Sequence, residues 1–143
     1  MKLRDQIQFH NADHSYVLKH KTSIREWIYN CILSENRQLR EISYVFCTDA
    51  YLLKINQDHL NHNTYTDIIT FDYSEGNLIS SEIYISVDRV KENAQSFNVT
   101  MKTELHRVLI HGVLHLIGYK DKTNPEADVM RAKENFYLSS RNF

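Results

Sequence analysis

TMKTELHRVLIHGVLHLI, residues 100–117, is the stretch from which the architecture follows. Wound as a helix, it places Val108, Leu109, Ile110, Val113, Leu114, Leu116 and Ile117 on almost every side of its second half instead of along one stripe. A helix that is apolar all round has to be surrounded by protein, so this one is expected at the centre of the molecule. Gly118 supplies its stop. Asn124-Pro125 then restarts a helix with Pro at the first position, and Val129, Ala132 and Phe136 are expected to give that last helix its inner face.

Upstream of the central helix, residues 88–97 show Val90, Ala94 and Phe97 on one side of a further amphipathic helix. Residues 67–73 and 78–87 read as strands around Ser74-Glu75-Gly76-Asn77, a short polar loop with Gly that predicts an antiparallel hairpin. Over 41–48, Ile42, Tyr44 and Phe46 alternate with Ser43, Val45 and Cys47, as in a strand buried on one face and half buried on the other. Thr48 or Asp49 can cap the helix that follows to about Leu60, with Leu52, Ile55 and His59 on one side. Nearer the start, Ser23-x-x-Glu26 reads as a capping box ahead of Ile24, Trp27, Ile28, Cys31 and Ile32, and Ile7 and Phe9 alternate in a first strand over 6–10. This order predicts an α+β fold: a small mixed sheet of about four strands with helices packed on it and the buried helix at its centre.

Length and composition bound the rest. A chain of 143 residues, 42% hydrophobic, with three Gly, one Pro and no linker-like stretch, is expected to form one domain over 1–143. The N-terminal residues lack the apolar core of a signal peptide. The most apolar run, 108–119, is interrupted by His111 and His115 and is far shorter than the ~20 residues of a membrane helix. A soluble cytoplasmic protein is therefore expected, and Cys31 and Cys47 read as small buried hydrophobes in a helix and a strand. The net charge of −1 does not itself point to a nucleic-acid partner, so any such partner has to be recognised by local features.

His111 and His115 are four residues apart on the central helix, so their imidazoles project from one face a turn apart, close enough to share a metal ion. The chain turns after Gly118, and Asp121 sits where a returning loop can bring its carboxylate to the same ion. Three protein ligands leave a fourth position for water, the arrangement of catalytic rather than structural zinc. The competing reading makes the histidines buried polar residues satisfied by hydrogen bonds and leaves Asp121 in a loop turn. Two imidazoles inside an apolar helix each need a partner, however, and one metal satisfies both. Gly112 occupies the position that a general-base Glu holds in H-E-x-x-H metalloproteases, which disfavours peptide hydrolysis by that route. A mid-helix Gly also costs about 1 kcal/mol, which points to close approach of another backbone element.

The segment His111-Gly-Val-Leu-His-Leu-Ile-Gly-Tyr-Lys-Asp121 resembles the YbeY signature, H-G-x-L-H-L-x-G-Y-D-H, departing at Lys120 and Asp121. Asn56 followed by Thr66-Asp67-Ile68-Ile69-Thr70-Phe71 resembles the family's L-N-x-x-Y-R…T-D-V-L-S-F stretch, and Glu82-Ile83-Tyr84-Ile85-Ser86 is similar to its next strand. Asp121 stands at the third histidine of the family and Leu60 at its Arg, where His59, His62 or a nearby Lys could substitute.

The resemblance implies a zinc-dependent, single-strand-specific endoribonuclease in maturation of the 3′ end of small-subunit ribosomal RNA and in ribosome quality control. Ribosomal RNA or the ribosome would be its partner, with one Zn²⁺ or another divalent ion as cofactor. The ion would polarise a phosphate oxygen or activate water. A non-catalytic ribosome-assembly factor with a structural metal, or another metal-dependent hydrolase, are the alternatives. Lys120 and Lys122, which flank Asp121, are candidates for phosphate contacts, whereas Lys19, His20, Lys21 and Arg25 read more simply as a solvated surface. Tyr51, Tyr65, Phe71 and Tyr73 could stack bases, although aromatics at such positions are more often core. Glu104, two turns before His111, is either a partner orienting an imidazole or an exposed helix-start carboxylate, and His106 faces another side.

Overall fold

The structure, a computed structural model, describes residues 2–62 and 64–143. Its elements run α1 (Leu3–Gln6), β1 (Ile7–Asn11), α2 (Lys21–Ser34), β2 (Gln38–Cys47), α3 (Asp49–Leu60), β3 (Ile68–Asp72), β4 (Leu78–Ser86), α4 (Val87–Ser96), α5 (Met101–Ile117) and α6 (Asn124–Ser139). The fold is α+β. The four strands lie in the order β1-β2-β4-β3, with β1 and β4 parallel to β2 and β3 antiparallel to β4, so the sheet is mixed and the hairpin forms as its turn residues predict. β3 is an edge strand.

Alternation along the strands divides the sheet between two clusters. Ile42, Tyr44 and Phe46 of β2 and Ile79, Ile83 and Ile85 of β4 join the main core with α2, α5 and parts of α4 and α6. Cys47, Ile69, Phe71 and Tyr84 pack instead with Leu52 and Ile55 of α3. As expected, α5 is central: nearly all of its second half is buried, and the buried Tyr44 hydroxyl donates to the Leu109 carbonyl at 2.9 Å. Cys31 and Cys47 are both free and buried. No helix among the described residues is long and apolar enough to cross a membrane.

Several local expectations change. The Ser23-x-x-Glu26 capping box does not form, because the Ile24 N–H bonds the His20 carbonyl and starts α2 a turn earlier, at Lys21, with His20 in a left-handed conformation at the cap. Thr48 caps α3 through its side chain. At α6 the cap is Thr123, in a reciprocal capping box with Glu126, and Pro125 lies in the first turn. The inner face of α6 is Met130, Glu134 and Tyr137, while Val129 and Phe136 are 50% and 61% exposed and Ala132 is exposed. The inner stripe of α6 is built around a buried carboxylate, Glu134, and so lies to one side of its most apolar positions. In α3 the buried residues are Leu52 and Asn56, with His59 exposed, and Phe97 at the end of α4 is 55% exposed.

Gly112 does mark a close approach, though to side chains: a Cβ there would lie 3.0 Å from Ile68 Cδ1 and 3.1 Å from Ile83 Cδ1. This seats α5 tightly over the β3–β4 hairpin. Replacing Tyr44 by Phe removes its hydrogen bond to the Leu109 carbonyl of α5 without emptying the site. The expected loss is about 1 kcal/mol, read as a lower urea midpoint at unchanged m-value.

Candidate metal centre

On α5 the imidazoles of His111 and His115 stand with ring centroids 4.5 Å apart and planes at 85°. Both Nε2 atoms lie 3.5 Å from the same oxygen, Oδ2 of Asp121. One potential ligand atom from each of the three residues falls within 4.8 Å of the others. His111 and His115 are half-buried and Asp121 is exposed, so the cluster sits at the protein surface. Gly118, at φ 121°, ends α5 and turns the chain back, which brings Asp121 to the helix face it had just left.

That turn is clamped. Glu35, just past the end of α2, accepts from the Tyr119 hydroxyl at 2.7 Å, from Lys133 Nζ at 3.0 Å and from the Tyr137 hydroxyl. Arg37 Nη2 donates to the last α5 carbonyl, Ile117, at 2.9 Å, where the helix dipole favours a cation. Glu35 and Arg37, just after α2, together with Lys133 and Tyr137 of α6, thus hold the segment that leads into Asp121.

Behind His111 lies a carboxylate that sequence reasoning missed. Glu134 of α6, 4% exposed, meets His111 Nδ1 through Oε2 at 2.6 Å, while its Oε1 accepts from Arg107 Nη1 at 3.2 Å and faces Arg131 Nη1 at 3.4 Å. Arg107 also binds Glu104 at 3.1 Å. Glu104 is therefore neither the exposed helix-start carboxylate nor the residue bonded to His111. It is buried, and it is linked to the imidazole only through Arg107 and Glu134. The signal available in the sequence was the stripe Met130, Glu134, Tyr137, which has helical spacing but contains a charge.

Burial pulls the His111 pKa down, but the Glu134 hydrogen bond and the charges of Glu134, Asp121 and Asp67 outweigh it, and the net shift is upward. His115 shifts the other way, lowered by burial and by the neighbouring His111. Asp67, at the entry to the hairpin, is raised by burial and lines a cavity of about 250 Å³ with His111, Glu134, Glu104 and Arg107.

On the other side of the histidine pair an open cleft of about 670 Å³ runs from His115 along Ile68–Asp72 of the edge strand, with His62, Thr66 and Lys122 on its walls. Asn56, buried at the end of α3, donates to the Thr64 carbonyl at 2.9 Å and so holds one wall. Of the two lysines beside Asp121, Lys122 lines this cleft, whereas Lys120 lies by Gly118 and Pro125 in a separate depression. Leu60 and His62 reach the cleft. His59 turns to the opposite side, its ring edge-on to Phe71. Tyr51, Phe71 and Tyr73 line a small outer cavity, and Tyr65 stacks under Arg89 at 5.2 Å. Lys19, His20 and Lys21 are exposed, and Arg25 is used internally, donating to the Ile7 carbonyl at 2.7 Å.

A family model described as Endoribonuclease YbeY matches residues 6–142. The chain belongs to the YbeY family. A curated YbeY relative named Endoribonuclease YbeY, from Cytophaga hutchinsonii, is 51% identical over 138 residues, covering 96% of each chain. The Endoribonuclease YbeY of Bacteroides thetaiotaomicron is 45% identical over 121 residues, 85% of this chain and 88% of that one. Among solved structures, the solution structure of TM1509 from Thermotoga maritima superposes with a TM-score of 0.65 at 26% identity, covering 93% of this chain and 87% of the other. The matched span, residues 6–142, takes in Glu35 and Glu134 as well as the histidine segment.

The Glu35 clamp carries a pH signature. Partial burial raises the Glu35 carboxyl, but hydrogen bonds from Tyr137, Tyr119 and Lys133 outweigh it and bring it below its ordinary 4.5. A depressed carboxyl contributes stability that is present above 4.5 and is lost as the pH falls through the lowered value. The parent should therefore be more stable than Glu35→Gln at neutral pH, with the gap closing in acid. Parallel chemical melts at a series of pH values measure it.

Proposed function

We propose that this chain, acting as one domain over residues 1–143, is a zinc-dependent endoribonuclease. Its substrate is single-stranded ribosomal RNA, cut in the cytoplasm during maturation of the small-subunit 3′ end and in ribosome quality control. His111, His115 and Asp121 hold the ion. The observation that carries this reading is the pair of 3.5 Å separations between the histidine Nε2 atoms and Asp121 Oδ2, at the mouth of a cleft, in a chain of the YbeY family. A tetrahedral ion with bonds of about 2.0–2.1 Å has ligand-to-ligand edges of about 3.3–3.4 Å, close to the two 3.5 Å histidine–Asp121 separations, and the three ligand atoms all lie within 4.8 Å of one another. Two imidazoles and one carboxylate leave one tetrahedral position free, as a catalytic site requires. When bound, the ion supplies Lewis acidity, polarising a phosphate oxygen and lowering the pKa of water.

The chain's own residues do the rest. Lys122 and His62 provide donors for backbone phosphates along the cleft, and His62 takes over at the place where Leu60 replaces the family's Arg. The edge strand β3, at whose start the Thr66 hydroxyl donates to the Ile68 carbonyl at 3.4 Å, lines the cleft and offers backbone polar groups to unpaired bases, whose edges are available only in a single strand. The Asn56 bond to Thr64 keeps that wall in place.

The parent protein is expected to retain about one equivalent of zinc and to cut single-stranded RNA in preference to duplex. His115→Ala and Asp121→Ala should each lose the metal, by elemental analysis, together with cleavage. RNA cleavage that persists in a metal-free variant overturns the reading.

A further inference from the structure

We propose that Glu134 is a positioning residue for the metal centre: its carboxylate, anchored by Arg107 and Arg131, holds a proton on His111 Nδ1 and so keeps the Nε2 lone pair directed at the ion. This rests on the metal-centre reading above and adds a residue from another helix to it.

A neutral imidazole carries its proton on one nitrogen only, and a metal needs the other. Glu134 Oε2 lies 2.6 Å from His111 Nδ1, a charge-assisted separation, and an ionised carboxylate can only accept. The proton is thereby assigned to Nδ1. The other nitrogen, Nε2, is the one that faces Asp121 Oδ2. Glu134 cannot itself serve as a fourth ligand from this position, because the two ring nitrogens point away from each other. Its second oxygen is also engaged, by Arg107 at 3.2 Å with Arg131 at 3.4 Å. The arginines offset the cost of an anion that is almost fully buried. Glu104 holds Arg107 from its other side.

The arginine anchors make Glu134→Gln informative. A glutamine has one acceptor and one donor end, and Arg107 and Arg131 have only donors to offer. The amide oxygen must turn to the arginines, so the NH₂ faces His111 Nδ1. That nitrogen must then be the lone pair, and the proton moves to Nε2. Glu134→Asp keeps the charge on a shorter arm and should keep the parent tautomer.

The test is ¹⁵N NMR of histidine-labelled, metal-free protein at alkaline pH, where the imidazole is neutral, alongside zinc affinity by chelator competition. In the parent the His111 pattern should be Nδ1–H. In Glu134→Gln it should switch to Nε2–H, with zinc bound roughly ten- to a hundredfold more weakly. Glu134→Asp should fall between the two in affinity without switching, and its spectrum serves if Glu134→Gln does not fold. An Nε2–H pattern in Glu134→Asp or in the parent overturns the proposal, as does a Glu134→Gln variant that keeps the parent tautomer or the parent affinity. A parent that takes up no zinc but whose tautomer still follows residue 134 overturns the metal reading instead and leaves the control of His111 by Glu134 standing.

Discussion

Helix α5 is enclosed by the sheet on one side and by α2, α4 and α6 around it, and the polar groups it buries have to be satisfied within that enclosure. The apolar side chains answer by packing, and Gly112 lets the helix settle onto Ile68 and Ile83. Glu104, Arg107, His111 and His115 cannot answer that way. Three to four residues apart, they form a single polar stripe, and the neighbouring elements supply its partners: Glu134 from α6 and Asp121 from the loop between the two helices.

The partners are arranged as a line in which carboxylates alternate with basic side chains. Glu104 binds Arg107, Arg107 binds Glu134, Glu134 binds His111, and both histidines face Asp121. Each buried ion in this line is flanked by its complement, which limits the desolvation cost that isolated charges would carry. The line runs from the enclosed part of α5 to the surface, where His115 meets the cleft. The Glu35 clamp serves the same end from below, tying the turn after Gly118 to α2 and α6 so that Asp121 returns to its place.

Sheet topology places the cleft. Because β3 is an edge strand and α5 crosses the β3–β4 hairpin, the histidine pair emerges beside the edge of the sheet. A chain with a net charge of −1 thus brings Lys122 and His62 together along one cleft, without an overall basic character.

Periodicity is local, and what depends on it was legible in the sequence: the enclosed helix over 100–117, the antiparallel hairpin, the mixed α+β layout, and the projection of His111 and His115 from one helical face. Their spacing along the chain already sets their spacing in space. Asp121 was legible as a nearby carboxylate after a glycine turn, since a few residues can only travel a short way. Glu134 and Glu35 were not, because each meets its partner, His111 and Tyr119 respectively, across 23 and 84 residues of sequence. Which face α6 turns inward was equally hidden: a stripe containing a glutamate looks solvent-facing until a histidine and two arginines are found waiting for it. Spacing within one helix determined the pair of imidazoles, whereas the partners that orient them were decided only when separate helices packed together and buried charges had to be paired.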